Sequence, residues 1–196
     1  ATIAFAILIA ALVFSISVPS NLMKVKADSN YVIEHVDQNL QLMYNGYVLV
    51  NDTVQLSGQR PDNFLLGFPH AFGPYFVDCL AFDTTNMSKT FSVSLNEPLA
   101  GQSGYYAVRV DFPGGAPQVF SVEVLFSNRL MVQDSQNSSL YTLVFPEFPS
   151  LTQNAVTFNG SISLPKNATY VKGTVDNVTY SQQNLPAFAY NFSTLT

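Results

Sequence analysis

The chain has 196 residues, 47% of them hydrophobic and only 11% charged, with a net charge of −5. Eight lysines and arginines scattered along it exclude a basic nucleic-acid surface, and the single Cys79 excludes an intramolecular disulfide. With so few ionic groups, hydration falls to Asn, Gln, Ser and Thr, whose amides and hydroxyls stay wet at acid and neutral pH alike.

Ala1 to Val18 carries no charged side chain. Ile3, Phe5, Ile7 and Ile9 alternate with smaller residues, and after a slip near Ala10 the rhythm resumes at Leu12, Phe14, Ile16 and Val18. A period of two predicts a strand with one apolar face. The competing element is a helix, because eighteen residues at 1.5 Å rise span about 27 Å, close to the thickness of a bilayer core. An intact signal peptide opens on a basic region, and this stretch has none. Pro19 to Asn30 then turns polar, with Lys24, Lys26 and Asp28, and reads as a linker.

From Tyr31 the pattern is of short strands with almost no helical periodicity. Strands are expected at Tyr31–Val36 and Leu40–Tyr44, a tight hairpin at Asn45-Gly46, then Tyr47–Val50, a turn at Asn51-Asp52, and Thr53–Leu56. The aromatic-dense Phe64–Phe82 contains Phe68, Phe72, Tyr75 and Phe76 around His70. It reads as a hydrophobic plug for one end of a sandwich, with a ligand-binding loop as the alternative. Thr90–Leu95, Tyr105–Phe112 and Gln118–Phe126 follow, the last two joined through Gly114-Gly115. Beyond Asn128 come Leu130–Val132, Leu140–Val144, Val156–Leu164, Tyr170–Val175 and Ala187–Phe192. The whole reads as an all-β, Ig-like or pilin-like sandwich head over 31–196, with an extended N-terminal tail over 1–18 and a linker over 19–30.

Chemistry is sparse. His35 and His70 lack a third ligand at metal spacing, no His-Glu-x-x-His or Cys-x-x-Cys occurs, and Gly101-Gln102-Ser103-Gly104 misses a nucleophile elbow by one residue. Neither catalytic nor metal-binding residues are expected, nor a small-molecule substrate, and the chain reads as a non-enzyme. Cys79, between Val77 and Leu80, reads as a small buried apolar residue. Seven Asn-x-Ser/Thr sequons stand at Asn51, Asn86, Asn137, Asn159, Asn167, Asn177 and Asn191. Together with the scarcity of charge they point to an extracellular, N-glycosylated protein whose only attached groups are covalent glycans.

An apolar strand that cannot stay in water and a β head with an open edge complement each other when one copy's tail fills its neighbour's edge. This layout resembles the subunit of the archaeal thread filament, a glycosylated surface pilus joined by donor-strand complementation, and is similar in this respect to bacterial type 1 pilins. The resemblance implies a head-to-tail homopolymer at the cell surface, with Ile3, Phe5, Ile7, Ile9, Leu12, Phe14 and Ile16 as donor residues. It also implies adhesion to surfaces or neighbouring cells. Two other readings stand beside it: a type IV pilin with residues 1–18 as a core helix, and a membrane-anchored surface glycoprotein or lectin.

Overall fold

The computed structural model describes residues 31–99, 101–146, 148–175 and 187–194, with side chains as far as Thr169. The tail 1–18, the linker and all seven donor positions lie outside the described residues. In order, the strands are β1 Tyr31–Leu42, β2 Val48–Gly58, β3 Asn63–Pro69, β4 Phe76–Asp83, β5 Asn86–Pro98, β6 Tyr105–Asp111 and β7 Val119–Phe126. They continue as β8 Met131–Gln133, β9 Leu140–Pro146, β10 Ser150–Leu151, β11 Ala155–Ser163, β12 Ala168–Val175 and β13 Ala187–Thr194. The all-β expectation holds. Two short 3-10 turns, His70–Tyr75 and Asn128–Leu130, interrupt the strands.

Nine strands form one sheet in the order β10-β3-β6-β5-β4-β7-β2-β1-β11, and four form a second in the order β12-β13-β9-β8. The larger sheet folds over itself because β5 serves both layers: its first half pairs with β4 (Ala81 opposite Phe91) and its second half with β6 (Val93 opposite Val110). Residues alternate along each strand, so one row from each layer faces inward. Phe64 of β3 meets Phe120 of β7 edge-on at 5.2 Å, and Phe68 meets Phe126 at 5.4 Å. Around these rings Val36, Val50, Val54, Leu66, Val108, Val110, Val122 and Val124 are fully buried. The described residues therefore close a core of their own.

Three sequence expectations change. The break expected between Val36 and Leu40 does not occur, and neither does the turn at Asn51-Asp52: β1 and β2 run straight through. One pair explains both. Gln38 and Asp52 face each other across β1 and β2 on the inward row, where Gln38 Nε2 donates to Asp52 Oδ1 at 2.9 Å. A hydrogen-bonded pair can occupy positions that the sequence pattern reserves for apolar residues. The aromatic-dense stretch, finally, is two strands joined by a 3-10 turn rather than a single block. Its Phe72 lies 5.8 Å from Phe126 and 5.3 Å from Phe145, so the turn caps the sandwich end as a plug and ties the second sheet to the core.

Candidate interaction surface

β11 is the last strand of the large sheet, parallel to β1, with Val36 opposite Phe158, Gln38 opposite Gly160 and Leu40 opposite Ile162. No strand among the described residues pairs with its far edge. Along Ala155–Ser163, Val156, Phe158 and Ile162 alternate with polar residues, and Gly160 interrupts the apolar row. The outward row, Thr157, Asn159, Ser161 and Ser163, forms a ladder with β1: His35 Nδ1 to Thr157 Oγ1 at 2.7 Å, Asn159 Nδ2 to Asp37 Oδ1 at 3.0 Å, and Asn39 Nδ2 to Ser161 Oγ at 2.8 Å. His35 Nε2 also lies 3.1 Å from Asp37, so this histidine belongs to the ladder. The Asn159 amide, and behind it His35, hold the Asp37 carboxyl below its ordinary value.

The inward row is apolar and only partly covered. Phe158, Ile162 and Leu164 are half-buried against the core, and Val156 is 65% exposed. Phe148 stacks edge-on against Phe158 at 4.7 Å, which covers one side of that ring. Natural sheets guard such edges with lysine, proline, inward charge or brevity. The other edges of the described sheets have one of these: β10 has two residues, β8 has three, and β12 carries Lys172. β11 has none of them. An extended, uncharged, alternating segment is the partner that such an edge accepts, because it offers ladder hydrogen bonds outward along the chain and an apolar row inward.

Other candidate groups have structural roles. Cys79 is half-buried in β4, and burial first, then Asp78 and Glu123, push its thiol up to about 12, which disfavours the thiolate. His70 lies against the Tyr106 ring with centroids 6.0 Å apart. Gly101 and Gly104 both have positive φ and turn the chain into β6. No cluster of three His, Cys, Asp or Glu able to hold a metal occurs among the described residues. Asp52 is the one group that sequence reasoning placed wrongly and that matters chemically: it is fully buried, its Oδ2 has no hydrogen-bond partner, and burial raises its carboxyl to about 7. Its inward position could have been found from the unbroken alternation of Val48, Val50, Val54 and Leu56 on either side.

The sequons divide by environment. Asn86, Asn137, Asn159 and Asn167 are exposed. Asn86 and Asn137 spend only their Oδ1, on the backbone amides of Ser88 and Ser139, while Asn159 donates its Nδ2 to Asp37. Asn51 is half-buried in central β2, with Nδ2 on Glu123 at 3.3 Å and Oδ1 buried without a partner. Among the sequons with described side chains, it is therefore the one whose acceptor nitrogen is least available. Asn177 lies outside the described residues, and Asn191 stands opposite Thr142 in β13 with its side chain undescribed.

No protein-family model matches the sequence, and no curated protein matches it. Among solved structures, yeast LTA4 hydrolase in complex with bestatin aligns over 85% of this chain and 29% of its own, at 11% identity and a TM-score of 0.46. The M1 zinc metallopeptidase from Deinococcus radiodurans aligns over 84% of this chain and 39% of its own, at 9% identity and a TM-score of 0.37. The chain thus spans well under half of either enzyme. Likenesses at this level carry no functional argument.

Proposed function

We propose that the chain is the structural subunit of an extracellular, glycosylated filament, polymerising head to tail as residues 3–18 of one copy add a strand to the next. The observation that carries this reading is the β11 edge, which is unguarded among the described residues and whose inward apolar residues Val156, Phe158 and Ile162 are only partly covered. Donor and acceptor match in kind: both are uncharged, and both place apolar side chains at alternate positions, interrupted in β11 at Gly160. Burying Ile3, Phe5, Ile7 and Ile9 contributes about 1.5–3 kcal/mol each, roughly 6–12 kcal/mol in all before ordering costs are subtracted. A tail-into-head contact is heterologous, so it extends into a fibre unless it closes into a ring. Glycans on exposed asparagines keep such a fibre hydrated, and adhesion is the role it serves. Electron microscopy of the full chain carrying Phe5→Asp or Ile7→Asp should show no filaments while circular dichroism keeps its β signature. Normal filaments from both variants would overturn the proposal.

A second reading has its own support. The described residues bury a continuous core among themselves, and the uncharged stretch of residues 1–18 serves equally well as the membrane anchor of a surface glycoprotein. Under that reading the full chain floats with lipid vesicles, and substitutions along β11 leave its behaviour unchanged.

A further inference from the structure

Three turns converge below the sandwich: the β1–β2 hairpin at Met43–Tyr47, the 3-10 turn Asn128–Leu130 running into Met131, and the β11–β12 turn at Pro165–Asn167. Their convergence is tight. Gly46 sits at φ +81 with Asn128 so close that an added Cβ would lie 2.9 Å from the Asn128 Cβ. Between them lies a hollow of about 370 Å³ lined by Met43, Tyr44, Met131 and Tyr141, with Asn45 and Lys166 on its polar side. Its size falls at the lower end of the range for small-ligand sites.

Tyr44 is 77% exposed, an unusual position for a large ring in a hairpin turn. The ring is nevertheless fixed, because its hydroxyl donates to the Lys166 carbonyl at 3.3 Å, one residue before Asn167. Asn167 lines the same hollow, exposed and with φ +72, a left-handed conformation that asparagine tolerates better than most residues. The turn is closed by Ala168 N–H donating to the Pro165 carbonyl at 3.0 Å. The Asn51 and Asn159 amides donate to carboxylates, and those of Asn86 and Asn137 accept from nearby backbone N–H groups. That of Asn167 makes no such bond with any of the described residues. A sugar ring has an apolar C–H face that covers an aromatic face and a polar rim that bonds to amides. Tyr44 and Tyr141 supply the first, Asn45 and Asn128 the second.

We infer that Asn167 carries an N-glycan whose first sugar packs into this hollow against Tyr44, where it fastens the hairpin to the β11–β12 turn. The inference rests on the reading of the chain as an extracellular glycoprotein. In the modification, Asn167 Nδ2 forms a bond to the anomeric carbon of a lipid-linked saccharide diphosphate and gives up one proton. The bond from that carbon to the diphosphate oxygen breaks, and its electron pair leaves with the diphosphate.

The test uses the full chain made in an N-glycosylating host, with site occupancy read by peptide mass spectrometry and Tm measured on four proteins. These are the wild type, Thr169→Ala (which keeps Asn167 and removes only its sequon), Tyr44→Ala, and the double variant. Asn167 should be occupied, and Thr169→Ala should lower Tm by about 2–4 °C in the wild-type background, as expected for a chain of this size, but by nothing in the Tyr44→Ala background. Equal drops in both backgrounds would overturn the docking. An empty Asn167 beside occupied Asn86 or Asn137 would overturn this inference alone, and seven empty sequons would overturn the glycoprotein reading with it.

Discussion

β7 and β11 both carry apolar residues at alternate positions, in β11 interrupted by Gly160, yet the first row is wholly buried and the second is not. In β7 the inward residues Phe120, Val122, Val124 and Phe126 are wholly buried, flanked by β4 and β2 and facing β3 across the sandwich. In β11 the apolar row pairs with a strand, β1, on one side only among the described residues, and Val156 is mostly exposed. The hydrophobic effect rewards area removed from water wherever it occurs. The centre has already collected that reward within one molecule, whereas the edge keeps apolar area exposed among the described residues, which is where the proposed partner would bind. Stability and association should accordingly separate along the sheet.

Substitutions at the two strands should break or sharpen that contrast. Phe120→Ala, which removes a ring held between Phe64 and Phe112, should lower unfolding stability in denaturant by about 3–5 kcal/mol. Phe158→Ala at the edge should cost the isolated head only about 1–2 kcal/mol while abolishing assembly. Comparable losses of stability at both positions would erase the distinction between finished and unfinished rows.

The interior of the contrast has a titratable element. Because burial raises the Asp52 carboxyl to about 7, the native state binds more protons than the unfolded chain between the ordinary carboxylate range and that value. Stability should therefore fall as pH rises from about 4 to about 7, by up to about 4 kcal/mol at 1.36 kcal/mol per unit, and then level off. Asp52→Asn should flatten the slope, and chemical denaturation across that pH range reads it directly. A stability that rises with pH through this window would show Asp52 to be ionised and paired.

Smaller effects probe the edge alone. Ile162→Lys places a charge on the inward row of β11, and should change head stability by about 1 kcal/mol or less while preventing association, the device by which sheets guard their margins. On the outward face, Asn159→Ala removes one exposed rung to Asp37 and should cost only about 0.5–1 kcal/mol. Thermal melts of the two variants, set beside sedimentation of the full chain, separate the roles of the two faces.

How far the sequence led can be judged residue by residue. Asn45-Gly46 predicted a hairpin between β1 and β2, and one forms there, but its loop runs over Met43–Tyr47 instead of two residues: Gly46 N–H donates to the Met43 carbonyl at 2.9 Å, and Gly46 alone takes the positive φ, +81, that glycine adopts freely. Local pattern failed where polar residues lie inside. Gln38 and Asp52 read as breaks since each lacks its partner when taken alone, and only the fold brings them within 2.9 Å. The parallel pairing of β1 with β11 was also illegible, for its rungs join residues 122 positions apart. Even so, the matched rhythms of His35, Asp37, Asn39 and Thr157, Asn159, Ser161 were present in the chain. Of the predicted sites, four sequons proved exposed, whereas Asn51 sits in a central strand that its polar neighbours had disguised as a turn.

The most direct measurement is disulfide trapping between two differently tagged full-length copies, one carrying Ile7→Cys and the other Ile162→Cys. Both copies also carry Cys79→Ser, so that only the two introduced thiols can pair. A cross-link joining the two tags under mild oxidation is the result that strand donation into the β11 edge predicts. No cross-link between the tags, or one found only when both substitutions share a single chain, would contradict it.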